Sequence, residues 1–395
     1  MAESLATAVY DKLRSSLDVL VAEGLDVQTA RPGTIPAVAG STPEKRAKAV
    51  GELARRTGAD VIVYGDVRLA DGASFQPELF LTDRTLVGSE ELAGHHDIGA
   101  ALRVQGDFAR NPVARQLLRE QVVGPATAFA DLVVGLGYYA EERLPAAVEH
   151  LRLAAAAPGW DETEGKEVLH LFLGNVALKE LDFATASQEY DRALALNPEY
   201  ARARLGEAEV QFQQARGDCE AGNLNPLGMV AALDGFASAA AARGQPPISH
   251  VPVRAIFGRA RVYACLTQAV VADHTAEAED GFRRVLAAYR ETGEPLRELA
   301  AESHAGLGFL ALPDASATDR PSRYRTALGE YQQALDLTRR NDRKAFFASM
   351  TGFVYGRLSE RDKADAAYRD AIRLGTDPEA RQQWENTRVA LRQGS

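Results

Sequence analysis

Over roughly the first 110 residues, apolar positions switch between two periods. Leu5, Val9, Leu13, Leu17 and Val21 recur every four residues, which predicts one apolar stripe on a helix of about 20 residues. Leu25 to Ala30 is a short strand candidate. Ser41-Thr42-Pro43-Glu44 is a helix start: a hydroxyl cap, a proline in the first turn, and a glutamate placed to reach back to the Ser41 amide. Ala47, Val50, Leu53 and Ala54 supply the apolar face that follows. Beyond Gly58, the runs Asp60 to Leu69 and Phe75 to Thr82 flank Asp71-Gly72. This predicts a hairpin, because Asp-Gly readily adopts the positive φ of a tight turn.

From about residue 112 the strand signals vanish and a spacing repeats. Gly135, Ala147, Leu151 and Ala154 are matched by Gly174, Ala186, Tyr190 and Ala193, and by Gly352, Ala364, Tyr368 and Ala371. Three further units keep the last two intervals and lengthen the first: Ala208 with Ala232, Phe236 and Ala239; Gly258 with Ala278, Phe282 and Val285; Gly308 with Ala327, Tyr331 and Ala334. The extra residues fall near Gly217 to Asn225, Ala272 to Ala276 and Pro313 to Ser322, between the two helices of each unit. A small residue on each helix lets the pair approach, and the larger residue four positions later fills the space toward the next pair.

These residues resemble the tetratricopeptide (TPR) repeats. Glu167 to Tyr200 is the best copy, with Leu173-Gly174, Ala186, Tyr190, Ala193 and Pro198 at the family positions; it departs from the family at His170 and Ala177. The fold class expected is mainly α: a TPR-type α-solenoid of about six helix pairs over 111–395, with a small α/β domain over 1–110. Glu379 to Arg392, carrying Trp384 and Leu391, is expected to cap the open end of the stack. Gly58 to Gly65 followed by a hairpin resembles the small α/β domain of TolB-type envelope proteins, which generally opens with a strand. Here a helix starts almost at Met1, so the chain is either the soluble part of a longer protein or has a sheet with an open edge.

Composition agrees with close helix packing, since Ala supplies 70 residues against 14 Phe and 2 Trp. A net charge of -10 argues against a sequence-independent nucleic-acid binder. Residues 1–22 carry acids and no unbroken apolar run, unlike a signal peptide. Val122 to Ala140 contains Pro125 and Asp131 and fits a repeat helix better than a membrane span. A cytoplasmic chain with no direct membrane insertion is expected, with the soluble domain of an anchored protein as the alternative. Cys219 and Cys265 read as two separate small packing residues.

No phosphate loop, dinucleotide fingerprint, nucleophile elbow or His-Glu-x-x-His motif is present in the sequence. His95-His96-Asp97 is the one local cluster of metal-ligand types. Neighbouring residues on a strand point to opposite faces, so it reads as a solvent-exposed strand end and no metal or cofactor is expected. His170 and His304 share one repeat position and read as half-buried core residues.

The resemblance places the partner-binding groove on the concave side, on the first helix of each unit. It maps to Tyr139, Leu171, Asn175, Lys179, Arg202, Leu205, Phe212, Arg259 and Arg357. Asn175 stands where chaperone-binding TPR domains use an asparagine for a terminal carboxylate, but Leu171 replaces the lysine of that clamp. The groove is expected to take a protein or peptide segment, with Arg202, Arg259 and Arg357 facing its carboxylates. Its alternative occupant is the chain's own amino-terminal domain or first helix. The function expected is a non-catalytic protein-interaction module, the sensor or scaffold arm of a larger bacterial signalling or defence protein. The alternatives are a membrane-anchored envelope-assembly factor and an enzyme using His95, His96 or Asp97.

Overall fold

The computed structural model describes residues 2–24, 27–68, 73–82, 90–98, 102–104, 127–157, 165–217, 219, 222–247, 249–269, 271–312 and 317–393. The fold is a TPR-like α-solenoid with a small sheet near its amino terminus. Two compact units divide the chain: Met1–Val210 with Ala241–Val251, and Gln211–Ala240 with Pro252–Ser395. Within the first unit, the α/β segment shares one core with the first repeats.

In the first unit, α1 (Ala2–Ala22) buries Leu17 and Leu20, whereas Val21 of the expected stripe is exposed. The side chains of Leu5 and Val9 lie outside the described residues. A strict four-residue spacing drifts about 40° per step around a helix of 3.6 residues per turn, so a three-residue step must eventually replace it. Helix α2 (Pro43–Thr57) is capped by Thr42, whose hydroxyl accepts from the Lys45 amide. Gly58 ends the helix in the left-handed conformation at φ 72°. Val50, Leu53 and Ala54 then pack on Ile62 of the sheet.

Strands β1 (Val61–Arg68) and β2 (Ala73–Leu81) form the expected hairpin, with Val63 opposite Leu79. The Asp71-Gly72 turn lies outside the described residues. The strand end read at His95 to Asp97 is β3 (Gly94–Asp97); β4 (Leu102–Val104) went unread in the sequence, and both pair antiparallel with β2. The expected strand over 25–30 is not seen: 25–26 are outside the described residues and 27–30 are irregular.

Every strand lies before residue 105, and 13 helices follow among the described residues. They are α3 (127–140), α4 (Leu144–Ala156), α5 (Glu167–Lys179), α6 (Phe183–Leu196), α7 (Ala201–Arg216), α8 (Pro226–Ala241) and α9 (Val251–Gln268). Then come α10 (Thr275–Thr292), α11 (Arg297–Ala311), α12 (Arg320–Leu337), α13 (Asn341–Arg357), α14 (Arg361–Leu374) and α15 (Pro378–Gln393). In the lengthened repeats the extra residues are partly absorbed by helix. Helices α10 and α12 have 18 residues each, against 14 in α6 and α14.

The repeated spacing has a direct physical counterpart. Tyr190 is fully buried between Gly174 of its own pair and Gly206 of the next first helix. A methyl group at Gly174 would lie 2.6 Å from the Tyr190 ring, inside contact distance. Phe282 meets Gly306, and Tyr368 meets Gly352, in the same way. The three repeats without insertions also share one turn. Glu142, Leu181 and Ser359 take left-handed φ values of 57°, 61° and 63°. The next amide in each closes a 2.9 Å bond back to Tyr138, Ala177 or Tyr355, the six-to-one closure of a Schellman motif.

In the second unit, the cysteines expected to be independent are joined as a disulfide, with Cα atoms 5.3 Å apart across 46 residues of sequence. Sequence separation alone does not report that the ends of α7 and α9 come together.

Candidate functional site

The first repeats do not offer the open groove expected of them. Tyr139, Leu171 and Leu205 are buried. Leu79, Leu81, Leu92 and Ile98 from the sheet segment share one core with Tyr139, Leu171 and Phe172. Arg202, expected to face a partner's carboxylates, is 2% exposed. Its Nε donates to the Glu91 carbonyl at 2.7 Å, Nη1 to His95 at 2.9 Å and Nη2 to Ala93 at 2.9 Å. The planar fork of the guanidinium thus serves three carbonyls along the approach to β3. Burial lowers the Arg202 pKa from its ordinary value. The alternative occupant, the chain's own α/β segment, covers this stretch.

The pleat of β3 separates His95 from His96, and both are buried, so the cluster is not a solvent-exposed strand end. His96 faces the helices, with its ring 5.9 Å from Phe172. Its Nε2 donates to the Leu92 carbonyl at 2.7 Å, which leaves Nδ1 without a proton beside Arg202 at 3.4 Å. Burial first, and then the Arg202 charge, hold its pKa well below the usual histidine value.

His95 faces the opposite way, bonded to the Tyr64 hydroxyl at 2.8 Å and to exposed Asp97 at 3.1 Å. Glu78, His95 and Asp97 place one donor atom each within 4.8 Å of one another. Glu78 is already held by Arg46, whose Nε lies 3.0 and 3.1 Å from its two oxygens. A guanidinium therefore sits where a cation would need the carboxylate. Burial and the Glu78 charge push the Tyr64 pKa above its ordinary value. Burial alone would raise that of Asp97, but the His95 hydrogen bond together with the charges of His95, Arg46 and Arg202 outweighs it, and the net shift is down. The network satisfies buried polar groups and gives no activated nucleophile.

The remaining expected residues divide. Asn175 is buried; its oxygen accepts from the Tyr190 hydroxyl at 2.9 Å, while its Nδ2 lacks a partner among the described residues. Exposed Lys179 places its ammonium 4.3 Å from the centre of the Tyr139 ring. Phe212 is buried under the Arg261 guanidinium, 4.5 Å away.

Arg259 is half-buried, with Nη2 3.4 Å from the Tyr263 hydroxyl and Nε without an acceptor among the described residues. Arg357 is exposed and stacks on Phe353 at 5.1 Å. The sequence reading missed Phe346, 41% exposed at the start of α13, with Arg343 4.9 Å over its ring. Its separations of seven and eleven from Phe353 and Arg357 put all three on one helix face, a signal that was available.

Helix pairs in tandem, with a Gly on the first helix meeting an aromatic ring of the second, define a TPR-like helical solenoid. No protein-family model matches the chain, and no curated protein matches it. Among solved structures it is similar to a tetratricopeptide repeat protein from Parabacteroides merdae, at 13% identity and TM-score 0.45 over 70% of this chain and 89% of that one. It is also similar to YrrB, described as a TPR protein with an unusual peptide-binding site, at 18% identity and TM-score 0.32 over 56% and 92% of the two chains. A human IFIT1 dimer with PPP-AAAA is similar at 17% identity and TM-score 0.38, over 68% and 60%. At these values the likeness assigns no role to any residue. No described helix is long and apolar enough to cross a membrane.

Proposed function

We propose that the chain is a non-catalytic scaffold that binds a protein segment on the first helices of its second unit. The observation that carries this reading is the Arg259 Nε, a buried donor on a first helix left without an acceptor among the described residues, because buried donors are ordinarily paired. Exposed Phe346 and the Phe353–Arg357 stack offer further aromatic and cationic contacts on α13. The partner chemistry that fits is an acidic segment carrying apolar side chains, with a carboxylate for Arg259 and an aliphatic or aromatic anchor for Phe346. Lys179 is the one exposed cation among the expected groove residues of the first unit. Placement as the sensor or scaffold arm of a larger bacterial signalling or defence protein extends this reading. The TolB-like resemblance of residues 58–65 favours the alternative, a membrane-anchored envelope-assembly factor.

The test is selection from a displayed library of random dodecapeptides on the full chain, followed by affinities for Arg259→Ala, Phe346→Ala and Arg357→Glu. Acidic, apolar peptides should be enriched, and each variant should weaken binding at least tenfold at unchanged melting temperature. No enrichment, or peptides indifferent to all three variants, would remove this surface from consideration.

A further inference from the structure

Cys219 lies in the connection between α7 and α8 and is half-exposed, whereas Cys265, near the end of α9, is buried. Their bond links the ends of two successive first helices and encloses the whole of α8. It also joins the two separate stretches, Gln211–Ala240 and Pro252–Ser395, that make up the second compact unit.

The α7–α8 connection has anchors of its own. The Asn225 amide donates to the Ala215 carbonyl at 2.8 Å, and the Asn225 side chain accepts from the Gly228 amide at 3.2 Å, capping α8. Gly217 turns the chain at φ 47°, where any side chain would collide with the Asn223 carbonyl. Helix α8 is therefore placed by contacts that do not pass through sulfur. What the bond adds is a tether on Cys219, the more accessible of the two sulfurs.

We propose that Cys219–Cys265 is a thiol–disulfide exchange site, a reversible clasp on the connection between α7 and α8 that a dithiol reductant opens in the folded protein. Attack is directed to Cys219 because access decides which sulfur a thiolate reaches, and Cys265 is covered. The reductant's thiolate bonds to the Cys219 sulfur, the Cys219–Cys265 bond breaks, and Cys265 leaves as a thiolate that takes up a proton. The reductant's second thiolate then attacks its own sulfur in the mixed disulfide, and Cys219 leaves and is protonated in turn. The protein disulfide gains two electrons and two protons, and the dithiol is oxidised to its disulfide. The helices stay in place while the tethered connection is released.

The test uses the full chain purified without reductant. Denatured in iodoacetamide, it should take up no label. Native protein treated with dithiothreitol should take up two, first at Cys219 and then at Cys265. Trapping with 2-mercaptoethanol should place the mixed disulfide on Cys219. Amide exchange in the α7–α8 connection should quicken at least tenfold on reduction, with α12 to α14 unchanged. Cys265→Ser should show the fast exchange without reductant and give no response to dithiothreitol; if that variant does not fold, the native titration decides alone. Two labels in the never-reduced chain, reduction only after denaturation, an adduct on Cys265, or exchange indifferent to reduction would each overturn the proposal.

Discussion

The Nη2 of Arg202 donates to the Ala93 carbonyl at 2.9 Å, one of three bonds by which one side chain of α7 holds the approach to β3. Arg202→Ala would leave three carbonyls without their donor in a buried setting. It should cost about 3–5 kcal/mol, the range for removing one member of a buried charged network. Arg202→Lys should recover little, since a compact ammonium cannot reach three acceptors along one plane. Urea unfolding measures both; a loss under about 1 kcal/mol would show that the carbonyls find other donors.

His96 makes the first unit sensitive to acid. Its pKa is depressed by burial in the folded state, so its contribution is complete above the unfolded value of about 6.5 and is lost as pH falls below it. Stability should decline by up to about 1.4 kcal/mol per pH unit between pH 6 and 5 from this group. His96→Gln should flatten that slope, even if it lowers stability at pH 7. An unchanged slope would assign the sensitivity to another group.

A histidine–carboxylate pair recurs at one repeat position with its polarity reversed. His170 faces Glu189 at 2.7 Å and His304 faces Glu330 at 2.6 Å, whereas in the first repeat Asp131 faces His150 at 3.2 Å. The acid and the histidine should therefore be exchangeable. His304→Glu alone sets two carboxylates together and should cost about 1 kcal/mol, and adding Glu330→His should restore most of it. A double-mutant cycle with no coupling would rule out the pair as a stitch between helices.

Leu181 holds a left-handed φ of 61° and is 67% exposed. Glycine avoids the Cβ penalty there, at some entropic cost in the unfolded chain. Leu181→Gly should stabilise by about 0.5–1 kcal/mol. The equivalent changes at Glu142 and Ser359 should add to it, since the turns are separate. A raised Tm in the triple variant checks this.

The sequence by itself determined the repeat. Gly174, Ala186, Tyr190 and Ala193 carry the pairing because close helix packing demands small residues opposite one another, and such a demand is local and periodic. The Asp60 to Thr82 hairpin was legible for the same reason. Only the tertiary structure decided what lies over the first repeats. Arg202 reads identically in sequence whether it waits for a partner's carboxylate or binds the carbonyls of Glu91, Ala93 and His95, because the choice rests on chain more than 100 residues away. The Cys219–Cys265 bond was hidden likewise, since it depends on two helix ends meeting. Strand β3 was legible only as a solvent-exposed strand end, because four residues with two histidines do not announce that both rings are buried. Its partner β2 supplies the pairing that its own composition does not announce.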